Sequence, residues 1–175
     1  MKIVLVLVLG LIGAAGIALL VFYIAGSRMP REHRSQMKAT FPADRATVWD
    51  AINDFDGMPG WWPAVKSVRI ERLTDGTVIT WNKDAHGNEV PFKTTVLQPQ
   101  QKLVRMIAST DQPFGGTWTF DLADASGGGT VLTLTEDGWI GPPFYRAVAQ
   151  WVIGLDATQK DFMAHLGKHL AAKAQ

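Results

Sequence analysis

Residues 116–136 read GTWTFDLADASGGGTVLTLTE and describe a two-stranded hairpin. In each half, apolar side chains alternate with polar ones, which is the period of a strand with one buried face. Residues 126–129 separate the halves, and glycine-rich segments of this kind reverse the chain. The stretch therefore predicts two antiparallel strands whose tryptophan, phenylalanine and leucine side chains point to the same side.

The same alternation predicts five further strands on the N-terminal side of this hairpin. They cover residues 36–41, 67–73, 77–83, 90–97 and 102–109, and turn residues lie between the consecutive ones. Because six strands in a row are joined by short links, they are expected to pair as an antiparallel meander. The sheet should contain about seven strands in all.

Two helical segments accompany the strands. From Asp44, the apolar residues Val48, Ile52 and Phe55 recur at the spacing of one helix face. From residue 144 onward, apolar residues recur at helical spacing for about seven turns, with Gly154 predicted to mark a bend or a close approach. The predicted fold class is α+β, with a curved antiparallel sheet around a long C-terminal helix.

The N-terminal segment is predicted to cross a membrane. Residues 3–25 contain 23 uncharged residues, which as a helix would span roughly 35 Å. A cleaved signal peptide is the alternative, although its apolar core is typically only about 7–15 residues long. The predicted division is a transmembrane anchor at 1–27, a basic juxtamembrane linker at 28–35 and a folded domain at 36–175.

Charge and composition exclude several classes of protein. The chain has no cysteine, which rules out disulfides, thiolate metal sites and cysteine nucleophiles. Residues 39–175 carry 12 basic and 15 acidic residues, a net charge of −3 that disfavours nucleic-acid binding. Four basic residues follow the apolar segment, so the positive-inside rule favours a single-pass membrane protein with its folded domain in the cytoplasm.

Several short motifs occur in an order that resembles a known superfamily. They are Val48-Trp49 on the first helix, Asp54-Phe55, the segment PGWWP at 59–63, and GGT at 128–130 leading into a strand that ends in Glu136. Together they resemble the START/Bet v1-like superfamily, in its polyketide cyclase/dehydrase and lipid-transport branch, over about residues 36–173. The resemblance implies a helix-grip fold whose cavity, between the sheet and the last helix, usually holds an apolar ligand.

Strand alternation indicates what such a cavity would contain. One parity of the strands collects almost only apolar residues, including Phe92, Trp118 and Phe120, and is therefore the inner face. Arg105 and Glu136 are the two charged exceptions. They are interpreted either as an ion pair or rim charges, or as a polar anchor for the head group of an apolar ligand.

Other aromatic residues could complete the site. Trp61 occupies the tryptophan position of the family segment and is expected to fix the turn, whereas Trp62 could close the cavity mouth or rest on the bilayer interface. Tyr145 begins the last helix and could stand at the entrance. The predicted ligand-binding residues are Phe92, Arg105, Trp118, Phe120 and Glu136 of the sheet, with Trp62, Tyr145, Trp151 and Leu155.

The sequence offers little support for a cofactor, a metal or a catalytic motif. His165 and His169 are four residues apart, but a solvated helix face with Asp161 pairing to His165 is the simpler interpretation. No metal, cofactor or catalytic residue is predicted. The predicted function is a membrane-anchored module that binds an apolar small molecule or lipid. The alternative is a cyclase/dehydrase-like enzyme that uses acid and base groups in the cavity.

Overall fold

The computed structural model describes residues 2–173, apart from the side chain of Leu97. Its elements follow the predicted order and are, in sequence, α1 (Lys2–Arg28), β1 (Glu32–Phe41), α2 (Arg45–Asn53), α3 (Met58–Trp61), β2 (Ser67–Arg72), β3 (Val78–Lys83), β4 (Glu89–Gln98), β5 (Lys102–Ile107), β6 (Phe114–Asp124), β7 (Thr130–Ile140), α4 (Pro143–Val148) and α5 (Ala157–Lys173).

The seven strands form one curved antiparallel sheet in the order β1-β7-β6-β5-β4-β3-β2. Strands β2 to β7 are the predicted meander, and β1 closes the sheet beside β7. The hairpin predicted at residues 116–136 is confirmed as β6–β7, in which Phe120 lies opposite Leu134. These side chains point into the core because both belong to the apolar parity of their strands.

Strand β1 begins four residues earlier than the sequence indicated. Glu32 lies opposite Trp139 and His33 opposite Gly138, so residues 32–35 are paired with β7. The charged residues in this stretch obscured the strand: Arg34, for example, points outward to Asp137 at 3.2 Å. The prediction that residues 28–35 form only a linker missed an edge of the sheet, and His33 with it.

Helix α5 fills the concave side of the sheet. Phe162, Leu166 and Leu170 are buried against the strands. The fully buried Gln159 accepts a hydrogen bond from the Ser35 hydroxyl at 2.8 Å and donates one to the Leu134 carbonyl at 3.3 Å. Because a buried amide needs partners, these bonds fix the position of α5 along β1 and β7. The predicted helix-grip arrangement is confirmed.

The C-terminal helix is not continuous, which corrects the expectation of a single helix with a bend. After α4, residues Ala149–Ile153 form a π-helical turn, and Gly154 leaves helical geometry with φ 93° and ψ 132°. This region of backbone space is open essentially to glycine alone. The break separates α4 from α5 and allows the two helices to cover different parts of the sheet.

Replacing Gly154 with alanine should therefore destabilise the fold. The expected loss is about 1–3 kcal/mol of unfolding free energy, because a Cβ is strained at this φ. Denaturant unfolding of the purified full-length chain measures the loss. Gly60→Ala is the matched control, since no atom lies within 4 Å of a Cβ at that position. Equal stability of the two variants would contradict the role given to Gly154.

Helix α1 is long and apolar enough to span a bilayer, by its length and composition. Most of its side chains are exposed, but Gly26 is buried against α4. A Cβ on Gly26 would overlap the carbonyl of Pro143, so only glycine permits this contact. The end of α1 therefore packs directly on the folded domain.

Candidate functional site

A cavity of about 940 Å³ lies between the inner face of the sheet and the segment that joins α4 to α5. This volume falls in the upper part of the range for small-molecule sites, roughly 300–1,000 Å³. Its apolar wall includes Phe92, Ile107, Trp118, Val148 and Leu155. The cavity can therefore accommodate the apolar body of a lipid-sized or polyketide-sized molecule.

The structure brings together seven of the nine residues predicted to bind a ligand. The seven that line the cavity are Trp62, Phe92, Arg105, Trp118, Glu136, Tyr145 and Leu155. Phe120 points to the same side but lies deeper, with 1% of its surface exposed, and contributes to the core. Trp151 turns away from the cavity, and its ring stands 5.5 Å from that of Phe22 in α1.

Arg105 is a buried cation without a carboxylate partner in the described residues 2–173. Its side chain is 5% exposed, and none of the ion pairs in that part of the chain includes it. The guanidinium carbon lies 4.9 Å from the Phe55 ring centre and 5.0 Å from that of Phe92. Burial lowers the pKa of Arg105 to about 10, so the group remains charged at neutral pH. The interpretation of Arg105 and Glu136 as an ion pair is therefore wrong.

Three further buried polar residues lie on the inner face of the neighbouring strands β3 and β4 and form, with Arg105, a buried polar cluster. The cluster consists of Thr80, Asn82, Thr94 and Arg105. Arg105 donates a hydrogen bond to the Thr80 hydroxyl at 3.0 Å. Within the described part of the chain, Nε of Arg105, Oγ1 of Thr94 and Oδ1 of Asn82 have no partner. Arg105 Nε and Thr94 Oγ1 can donate a hydrogen bond, whereas Asn82 Oδ1 can only accept one. Since buried polar groups are normally satisfied, the two unpaired donors point to a polar ligand atom at this position.

Strand register explains how the cluster forms. Thr94 of β4 lies opposite Arg105 of β5, and Thr80 of β3 lies opposite Phe92. In β3, alternation puts Trp81 on the face opposite Val78 and Thr80, so the sequence alone left the buried face of this strand unsettled. In the structure Trp81 lies on the outer face, where the Arg69 guanidinium covers its ring at 3.6 Å. Because successive side chains of a strand point to opposite faces, Thr80 and Asn82 lie on the inner face.

The ion-pair partner of Glu136 is a histidine of the neighbouring strand and not Arg105. Oε1 of Glu136 lies 3.5 Å from Nε2 of His33 on the adjacent strand β1, and both side chains line the cavity. A side chain at Gly138 would clash with the His33 ring, so this position of the ring depends on the glycine. This histidine–carboxylate pair is a possible acid–base couple, and it was missed because β1 was predicted to start too late.

Of the two positions expected for Trp62, the cavity and the bilayer interface, the structure has the cavity: Trp62 lines it and is buried in its wall. It is 7% exposed, and its indole Nε1 donates a hydrogen bond to Asp161 at 2.7 Å. Its ring packs edge-on against Phe162 at 5.1 Å. Trp61 is buried as expected, and its ring stacks on that of His169 with the ring centres 5.4 Å apart. The predicted pairing of His165 with Asp161 is also present, with Nδ1 and Oδ1 3.2 Å apart. The tryptophan pair thus fastens α3 to α5.

Tyr145 and the turn that follows α4 surround the opening of the cavity. Tyr145 lines the cavity and is 55% exposed. On the opposite side, the hairpin at Asp84 contributes polar groups, and the Asp84 carboxylate accepts hydrogen bonds from the backbone of His86 and Asn88. Bonding to Asn88 holds the pKa of Asp84 below its usual value. The opening therefore has an aromatic side near α1 and a polar side at this hairpin.

Solved structures with this fold include aromatase/cyclases and a START protein. StfQ, a di-domain aromatase/cyclase from the steffimycin biosynthetic pathway, has a TM-score of 0.65 and 14% identity; the alignment covers 82% of this chain and 52% of StfQ. The chain thus spans about half the length of StfQ. The Zhui aromatase/cyclase from Streptomyces sp. R1128 has a TM-score of 0.65 and 13% identity; the alignment covers 82% of this chain and 96% of Zhui. At such low sequence identity, the structural similarity shows a shared fold and no more.

A START superfamily protein from Mycobacterium smegmatis has a TM-score of 0.59 and 19% identity, covering 80% of this chain and 98% of its own. No curated protein matches the chain. The model of one family, described as "Polyketide cyclase / dehydrase and lipid transport", matches residues 32–171, starting at the first residue of β1. The resemblance noted in the sequence is confirmed: the chain belongs to this family of the START/Bet v1-like superfamily.

Proposed function

We propose that the protein is a membrane-anchored binding module for an amphipathic small molecule or lipid with an anionic head. The apolar body of this ligand occupies the cavity, and its head group is bound by Arg105. Helix α1 anchors the module, and the basic residues that follow it favour a cytoplasmic position for the domain.

The observation that carries the proposal is the buried, unpaired charge of Arg105. A cation in an apolar wall is costly unless it is paired. In the described residues its side chain has one hydrogen-bond acceptor, Thr80, and no carboxylate. A ligand carboxylate or phosphate would supply the missing anion and could bind two guanidinium nitrogens at once. An uncharged ligand would leave the charge unpaired.

The proposal is tested by identifying what the cavity carries. The full-length chain is purified from its own host in detergent, analysed by native mass spectrometry, and extracted with organic solvent. The expected result is a co-purifying amphiphile that bears an acidic group. An uncharged ligand, or a cavity that stays empty after mild purification, would contradict binding of an anion.

The pair His33–Glu136 favours a second candidate, a cyclase- or dehydrase-like enzyme. Both side chains line the cavity with their nearest nitrogen and oxygen 3.5 Å apart, and a histidine beside a carboxylate is a common general base. In this case Arg105 would stabilise an enolate formed during proton transfer. Recovery of two related compounds that differ by the loss of water would favour the enzyme over the carrier.

A further inference from the structure

An exposed apolar surface lies beside the cavity mouth. The π-helical turn between α4 and α5 exposes 52% of Trp151, 67% of Val152 and 62% of Ile153. We call these three residues the apolar lip. A contiguous exposed apolar surface usually marks a binding surface for a protein or a membrane. The lip is therefore a candidate surface for such a partner.

The contact between α1 and α4 sets the position of the lip. Phe22 of α1 packs against Phe144 at 5.8 Å and against Trp151 at 5.5 Å. Arg146 of α4 donates a hydrogen bond to the carbonyl of Met29, just beyond α1, at 2.8 Å. Together with the close approach at Gly26, these contacts hold the lip against the last turns of α1.

This position corresponds to a specific depth in a bilayer. Phe22 lies three residues before Ala25, the end of the apolar run at 3–25. At 1.5 Å per residue it is about 4–5 Å inside that end. With α1 across a bilayer, a tryptophan in contact with Phe22 is at the membrane–water interface, where tryptophan is enriched. Val152 and Ile153 follow directly in the turn and are exposed, so they would lie at about the same depth.

The lip is also part of the cavity wall. Ile153 lines the cavity, as do the two residues that follow it, Gly154 and Leu155. A single turn of the chain thus has one side toward the cavity and the other toward the expected plane of the lipid head groups. An apolar molecule that crosses this turn would remain out of water.

We propose that the apolar lip inserts into the bilayer interface and that the cavity takes up its ligand directly from the lipid phase. This inference rests on the proposed membrane anchor and adds the source of the ligand and the surface that admits it. The partner is the bilayer that holds α1. A second copy of the chain or another protein is the competing occupant.

The chain has no cysteine, so single labelling sites can be introduced without removing native residues. Val152→Cys, Leu11→Cys and Leu73→Cys variants of the full-length chain are labelled with the environment-sensitive fluorophore NBD. They are reconstituted into phosphatidylcholine vesicles with or without spin-labelled lipid. Leu11 lies within α1 and reports the anchor, while Leu73 is an exposed apolar residue after β2, outside α1 and the lip, and is the control.

The label at 152 should emit at shorter wavelength than the label at 73. It should lose about half of its intensity to lipid spin-labelled near the head group, as expected for a segment roughly 5–10 Å into the boundary. The label at 11 should be quenched most by lipid spin-labelled near the chain end. The label at 73 should not respond to either lipid.

Three outcomes would overturn the inference. Quenching at 11 but not at 152 would leave the anchor intact and remove the lip from the membrane. A blue shift at 152 without quenching would indicate a protein partner. No quenching at 11 would reject the membrane anchor itself, and the docking inference with it, while ligand binding at Arg105 would remain open to its own test.

Discussion

Replacing Phe162 with alanine is expected to lower the free energy of unfolding by about 3–5 kcal/mol, the range for removal of a buried phenylalanine. Its ring is 1% exposed and meets four aromatic rings edge-on. The centroid distances are 5.6 Å to Trp61, 5.1 Å to Trp62, 5.6 Å to Trp118 and 5.8 Å to Phe120. These rings come from α3, from Trp62 directly after it, and from β6, so the substitution loosens α5 from both elements.

Denaturant unfolding of the full-length chain in detergent measures this loss, and near-ultraviolet circular dichroism reports the aromatic packing. Phe162→Leu is the matched control, since a residue of similar volume should cost less than about 1.5 kcal/mol. The cavity should also be affected, because Trp62 and Trp118 belong to its wall. A loss below about 1 kcal/mol for alanine would show that the cluster relaxes around the gap.

Replacing Arg105 with leucine is expected to weaken binding of an anionic amphiphile by roughly 10- to 100-fold, the equivalent of one charge-assisted hydrogen bond. The same change should leave stability unaltered or raise it. Arg105 has no carboxylate partner in residues 2–173, so the substitution strands no opposite charge. It removes the hydrogen bond to the buried Thr80 hydroxyl, and this cost is offset because the buried charge is removed as well. Affinity and stability should therefore respond differently.

The measurement uses two fluorescent probes, cis-parinaric acid and its methyl ester. The acid should bind the wild-type protein more tightly than the leucine variant, while the uncharged ester should bind both alike. Arg69→Leu is the control, since this arginine lies on the outer face over Trp81. Equal loss of acid and ester would mean that the variant altered the cavity shape, and no loss would remove Arg105 from the site.

The alternation of apolar residues was enough to predict most of the sheet and much of the cavity wall. It placed Phe92, Arg105, Trp118 and Glu136 on one face, and all four line the cavity. This worked because side-chain direction in a strand depends only on parity, which is readable one strand at a time.

The sequence could not predict which side chains meet across neighbouring strands. His33 reaches Glu136 because β1 pairs with β7 across about a hundred residues of chain, and no local pattern encodes that register. Asn82 and Thr80 were likewise missed, because a long-range stacking of Arg69 on Trp81 decides which face of β3 is buried. Gly154 was noticed, but an isolated glycine is compatible with a bent helix and with a broken one.

The connection between α1 and β1 consists only of residues 29–31. Three residues span at most about 10 Å. The contacts at Gly26 and Arg146 restrict the movement of the domain relative to α1 further. With α1 in a bilayer, this short connection keeps the domain at the membrane surface. The domain then cannot move away to reach another compartment. Any ligand it delivers must pass along the same membrane, or across a site where a second membrane comes within contact distance.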